Sequence, residues 1–207
     1  AQEITKDPAT ILINPDQTLS KKDTDFRKAI ALWSDEVLKS TDYKNIKAQP
    51  SAAIFPGAVK ADYKFLNQKV TINHVKMADS LAPIVSTLGY SGYDNATMYS
   101  TGLYAVAGEY IEIDVPKSAN VQTLEVQIGA HSDRLNTWVA GNEDWRRMPI
   151  ITKKQKLVVG KNRLTSPFGG LIYINIKPKA DSREIVFSIS HAVAAPLFVL
   201  GKTSQSD

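Results

Sequence analysis

The stretch IGAHSDRLNTWVAGNEDWRRMPI, Ile128 to Ile150, gathers more side chains able to do chemistry than any other part of the chain. His131, Asp133, Asn136, Trp138, Asp144, Trp145 and Arg147 stand close together in it, with Arg134, Asn142 and Arg146 between them. Tryptophan is costly to leave in water, so the two rings either fold back onto the body of the protein or face something else. Aromatic faces beside Asp, Asn and Arg suit sugars, whose C–H faces stack on a ring while the polar groups take the hydroxyls. These seven residues are the candidate ligand-binding set, and packing of Trp145 and Arg146 on a neighbouring domain is the competing explanation.

The remaining chemistry is sparse. There are three histidines, His74, His131 and His191, and no two share a helical face. No His-Glu-x-x-His is present. His74 falls in a strand and His191 at a strand end, where a hydrogen-bonded structural role is expected. No serine lies in a Gly-x-Ser-x-Gly elbow. Gly169 and Gly170 precede a strand rather than a helix, so no helix N-terminus waits there for an anion. Glu112 and Asp114 share the wet face of one strand, which a solvated surface explains. With no cysteine, disulfides and thiol chemistry are excluded. No catalytic residue, metal-ligand set or cofactor is therefore assigned.

The net charge of +4 is spread along the chain and argues against nucleic acid as a partner. Lys153, Lys154, Lys156, Lys161 and Arg163, the densest basic cluster, are expected on a solvated hairpin. No apolar run approaches the roughly 18 residues a membrane span needs, so none is expected.

The elements that must position these residues follow from periodicity. Phe26, Ala29, Ile30, Trp33 and Val37 recur at helical spacing and predict an amphipathic helix from about Asp25 to Ser40, with Trp33 on its apolar face. KVTINHV, Lys69 to Val75, predicts a strand, and LAPIVSTLG, Leu81 to Gly89, a short helix ended by glycine. From Ser100 onward strands are expected at Tyr110–Val115, Leu124–Ile128, Leu157–Val159, Leu171–Ile176, Ile185–Ser190 and Leu197–Leu200, separated by turn-rich pieces. This pattern predicts a mainly β fold, an antiparallel β-sandwich of jelly-roll-like form, with an N-terminal amphipathic helix and one further short helix. Residues 1–50 are expected as a lead-in and helix packed on a sandwich of residues 51–207. The glycines of STGLYAVAGEYIEIDVP, Gly102 and Gly108, predict a fixed corner that brings Leu103 and Tyr104 onto the core or a neighbouring domain.

STGLYAVAGEYIEIDVP, LEVQIGAHSDRLN, WRRMPIIT, SPFGGLIYI and AVAAPLFVLGKT together resemble, in this order and spacing, the region ahead of the catalytic core in enhancin-like zinc metallopeptidases. The resemblance runs from about Ser51 to Thr203 and departs from the family pattern at Val106 and Ala194. It implies a non-catalytic N-terminal β-sandwich domain of a secreted or cell-surface, mucin-directed gluzincin-type peptidase. Its zinc and His-Glu-x-x-His helix are expected in the parent's catalytic domain, so this fragment is expected to be silent as an enzyme and to hold no metal. The implied partners are its own C-terminal catalytic domain and O-glycosylated mucin-type glycoproteins. A free-standing lectin-like or adhesion domain is the alternative.

Overall fold

In a computed structural model, residues 13–29, 40, 42–76, 96–131, 144–148, 150–177, 180–197 and 201 are described. Eight strands build the body: β1 (Leu66–His74), β2 (Thr97–Ala105), β3 (Tyr110–Val115), β4 (Leu124–Ile128), β5 (Lys153–Lys156), β6 (Gly160–Thr165), β7 (Gly170–Ile176) and β8 (Arg183–Ala194). Every pairing is antiparallel. One layer has the order β1-β8-β3-β6 and the other β5-β4-β7-β2, and the two are joined where β8 passes from the first to the second. The fold is the expected antiparallel sandwich, with the sheet nearly closed on itself.

Alternation sets the register. Ile111, Ile113 and Val115 of β3 point inward, and Ile113 lies opposite Ile189 of β8, so neighbouring strands deliver their apolar residues to the same side. Val126, Ile128, Ile172, Ile174, Ile176, Phe187 and Ile189 belong to the same main core, with Ile72, Leu103 and Leu164 among others. Each such side chain contributes roughly 1.5–3 kcal/mol by leaving water.

β8 serves both layers by means of one irregular residue. Leu66 pairs with Ala192 and Asn67 with Ser190, so His191 between them has no partner in β1 and bulges out. It is the one described non-glycine residue with a positive φ, at 58°. Beyond the bulge, Val193 and Ala194 pair with Tyr104 and Leu103 of β2.

A second, smaller core closes one end of the sandwich. Ile13 and Leu19 from the lead-in, Ala52 from the 3-10 turn Pro50–Ala53, and Trp145, Met148 and Ile151 from the long loop pack with Phe168. Leu19 and Trp145 exchange two backbone hydrogen bonds of 2.8 Å, forming a one-residue bridge between segments far apart in sequence. At the same end the backbone of SPFGG passes very close to β2 and the turn after it. A Cβ on Gly169, at φ +66°, would stand 2.5 Å from the Ala105 carbonyl oxygen and 2.8 Å from the Ala107 nitrogen. Only glycine allows that approach.

Several expectations need correction. Leu157–Val159 is the connection between β5 and β6 rather than a strand. Leu157 is buried, but Val158 and Val159 face solvent, and the Asn162 side chain accepts from the Val158 amide at 2.8 Å and donates to its carbonyl at 2.8 Å. An amide side chain there does the work of a ladder bond. Leu197 is 76% exposed and lies past the end of β8, so the strand expected to start there does not; residues 198–200 lie outside the described residues. Lys153 is buried, not solvated: its ammonium donates to the Ser40 carbonyl, and burial pushes its pKa down. Residues 25–29 are helical, with the Thr24 hydroxyl accepting from the Arg27 amide as an N-cap, yet Phe26 is 48% exposed. Trp33, the rest of that helix and the Leu81–Gly89 helix lie outside the described residues.

Two substitutions test this packing by urea unfolding. Gly169→Ala should cost more than about 2 kcal/mol, because backbone atoms must move. Gly102→Ala, at φ +72° with open space around it, should cost only the roughly 1–2 kcal/mol of left-handed strain. Equal losses would show that the close approach at Gly169 is not rigid. Trp145→Ala should cost about 3–5 kcal/mol, as for a large buried aromatic, and a loss under about 1 kcal/mol would place its ring outside the second core.

Candidate functional site

Of the residues expected to bind a ligand, the four that are described, His131, Asp144, Trp145 and Arg147, lie at the end closed by the second core. His131 leaves β4 through Gly129, whose amide donates to the Leu171 carbonyl, and the His131 carbonyl accepts from the Ile151 amide at 3.1 Å. The loop thus starts and returns at a fixed point. Phe55 follows the Pro50–Ala53 turn, which is anchored where the Gln49 amide donates to the Pro167 carbonyl at 2.8 Å. The Phe55 amide closes the turn on the Ser51 carbonyl at 2.9 Å.

These anchors bring three side chains together. The His131 and Phe55 rings lie 4.7 Å apart between centroids, tilted by 59°. The Arg147 guanidinium carbon stands 4.9 Å from the Phe55 ring centre, in reach of a cation–π attraction. Arg147 Nη1 also donates to the Met148 carbonyl at 3.2 Å, which holds the guanidinium against the loop. His131 is exposed and Arg147 and Phe55 are half-buried, so the surface presents a cation, an imidazole and an aromatic ring together.

The other candidates fall differently. Asp144 is exposed, and its Oδ2 accepts from the Thr18 hydroxyl at 3.4 Å, at the long limit of a hydrogen bond. Trp145 is corrected as an open stacking ring: it is 7% exposed, inside the second core, with its backbone paired to Leu19. The cost of wetting an indole is met by folding it back, one of the two outcomes expected for it. Asp133, Asn136 and Trp138 lie outside the described residues. Phe55, which links His131 to Arg147, was not among the candidates. Its piece of sequence, IFPGA, carries no signal beyond an aromatic beside a proline.

Two other polar groups, His74 and Glu112, have structural partners. His74 is buried, with Nδ1 at 3.0 Å from the Tyr99 hydroxyl and Nε2 at 3.2 Å from the Ala180 carbonyl. Glu112 accepts from Lys161 at 2.9 Å and from Arg163 at 2.7 Å, and these hydrogen bonds hold its carboxyl below the usual range. Among the described residues no group of three His, Cys, Asp or Glu could hold a metal ion. The described residues of the site can stack, donate hydrogen bonds and attract an anion. Among the described residues no helix is long and apolar enough to cross a membrane.

Residues 67–189 match the family described as the N-terminal domain of M60-like peptidases. TRPM8 channel-associated factor 3 of Rattus norvegicus is 33% identical over 117 residues, 56% of this chain and 12% of that protein. TRPM8 channel-associated factor 2 of Mus musculus is 33% identical over 132 residues, 63% of this chain and 14% of that protein. The chain thus spans about an eighth of the length of these curated relatives. Among solved structures, the IMPa metallopeptidase of Pseudomonas aeruginosa aligns with 85% of this chain and 21% of its own at 13% identity, with a TM-score of 0.46. The family match runs from the second residue of β1 to Ile189 of β8, and the chain belongs to the family of N-terminal domains of M60-like peptidases.

Proposed function

We propose that the chain serves as the non-catalytic accessory domain of a secreted or cell-surface zinc metallopeptidase directed at mucin-type glycoproteins. The observation that carries this reading is the family match over residues 67–189. In it the sandwich of residues 51–207 buttresses the catalytic domain, and Ile13 and Leu19 of the lead-in hold its loop end. Zinc and the general base belong to the catalytic domain. The His131–Arg147 loop helps to hold glycan: His131 and Arg147 over Phe55 supply the fixed part of the surface, and Asp133, Asn136, Trp138 and Asp144 supply further hydrogen bonds and a stacking ring. With Trp145 committed to the core, the stacking contribution of the loop falls to Trp138.

A second reading keeps the fold and drops the protease. The curated relatives are named for association with a channel rather than for cleavage, which favours a free-standing binding domain, lectin-like or adhesive. The gene beyond Asp207 separates the two. A His-Glu-x-x-His helix there supports the accessory role, and an anchor or repeat supports the other.

The glycan part is tested by calorimetric titration with intact and enzymatically deglycosylated mucin. Weak binding to the intact form alone is expected, since a shallow surface buries little area against the freedom a flexible chain loses. His131→Ala combined with Arg147→Ala should reduce that affinity about tenfold, with little change in thermal midpoint. Unchanged affinity in the double variant excludes the loop as the glycan site.

A further inference from the structure

Where β8 leaves the sandwich it runs along a groove of about 610 Å³. Val193, Ala194, Ala195 and Pro196 line one side, and residues between Pro56 and Leu66, in the segment that leads into β1, line the other. The two sides are fixed to each other and to the sandwich. Leu66 pairs with Ala192, Tyr104 of β2 pairs with Val193, and the Ala195 amide donates to the Gly102 carbonyl at 3.0 Å. The corner that joins the two sheets thus also shapes the groove, and it does so with backbone hydrogen bonds rather than with mobile side chains.

The groove is mainly apolar. Lys60 and Lys64 stand with Asp62 along it, so its charges are mixed in sign, and every other lining residue is uncharged. Leu66 is 36% exposed in it, and Leu197, next in the chain after Pro196, is 76% exposed. Neither leucine belongs to a buried core. Burial raises the pKa of the Tyr104 hydroxyl, which keeps its proton and can donate to a carbonyl. A phosphate backbone would find no surplus of cations here. An apolar stretch of polypeptide would cover the leucines and offer its carbonyls to Tyr104, and removing that apolar surface from water is favourable.

The course of the chain points to one polypeptide among the possible occupants. Pro196 has no amide proton with which to extend the β2–β8 ladder, so the backbone leaves the sheet inside the groove. Only eleven residues separate Pro196 from Asp207. A domain attached by so short a tether is held near the groove at an effective concentration on the order of millimolar, so a weak contact is enough to seat it. The chain matches a family of N-terminal domains and spans 12% and 14% of two curated relatives. We propose that the groove at the exit of β8 is the docking seat for an apolar segment of the domain that follows in the same polypeptide. This rests on the accessory role proposed above and gives that role its contact surface. The groove begins at Pro56, one residue past the ring that lies against His131, so the docked domain stands beside the His131–Arg147 loop.

The chain has no cysteine, so single cysteines report on single faces. Ala58→Cys in the groove, Ser188→Cys on the outer face of β8 and Gln122→Cys at the opposite end of the sandwich all replace exposed residues. Maleimide labelling at each position is read by peptide mass spectrometry in the chain ending at Asp207 and in the polypeptide extended to its natural end. Labelling at Ala58→Cys should be at least about tenfold slower in the extended polypeptide, with Ser188→Cys and Gln122→Cys unchanged. Adding Leu66→Glu should restore fast labelling in the extended polypeptide and leave the thermal midpoint of the shorter chain little changed. Slow labelling that persists with Leu66→Glu overturns the apolar seat. If Ser188→Cys or Gln122→Cys slows and Ala58→Cys does not, the accessory role stands and the groove is rejected. If none of the three slows, or no domain follows Asp207, both fall. Labelling at Ala58→Cys that slows with protein concentration in the shorter chain would make the groove an interface between two copies and overturn the inference.

Discussion

The molecule depends on a single strand that belongs to two sheets. β8 is twelve residues long, and its first part carries β1 and β3 while its last two paired residues carry β2. A strand in regular register cannot turn that corner, because the side-chain period of two would send the inward set outward on crossing. The bulge at His191 absorbs the mismatch. Phe187 and Ile189 face the core before it, and Ala192 faces the core after it. Since the two layers share β8, neither has its full complement of backbone partners without the other.

That corner also determines where a binding surface can form. The ends of β2, β4, β6 and β7 converge on the same side of the sandwich, where Gly169 approaches the Ala105–Ala107 backbone and Gly170 the Gly129 backbone more closely than any side chain would permit. Ile13 and Leu19 of the lead-in and Trp145, Met148 and Ile151 then pack at this end and are pinned by the Leu19–Trp145 bridge. His131, Phe55 and Arg147 acquire fixed relative positions from that packing rather than from their own segments, none of which is a regular element at that point. Loops carried on a rigid end are the usual place for recognition, and here the rigidity comes from the packing of glycine backbone and one indole.

How much of this could be read from the sequence varies with the local physics. β3 and β4 were found to the residue because their alternation is uninterrupted and turns flank them. β7 was missed by one residue, at Gly170. β8 was cut short at Ser190 because the bulge shifts the phase of alternation, and a period-two pattern ends wherever the phase slips. β2 was read as a corner, since Gly102 and a register shift on β7 hide its alternation; the structure makes it a full strand that contains a glycine kink. Apolar content alone misled at Leu157–Val159, where a single buried leucine sits in a turn. The polar density of the His131–Arg147 loop points to the end of the molecule where His131, Phe55 and Arg147 meet. Neither Phe55 as the ring beneath His131 nor Leu19 as the strand partner of Trp145 could be inferred, because both pairings exist only once the chain has folded.

The claim that β8 makes one cooperative body of two sheets is tested most directly by native-state hydrogen exchange in rising denaturant. The amides of β3, held against β8, and those of β4, held against β7, are buried to similar depth in opposite layers. The account predicts that their opening free energies converge on one common value, the value of global unfolding. Separate values, with the β5-β4-β7-β2 layer opening while the β1-β8-β3-β6 layer stays protected, would contradict it.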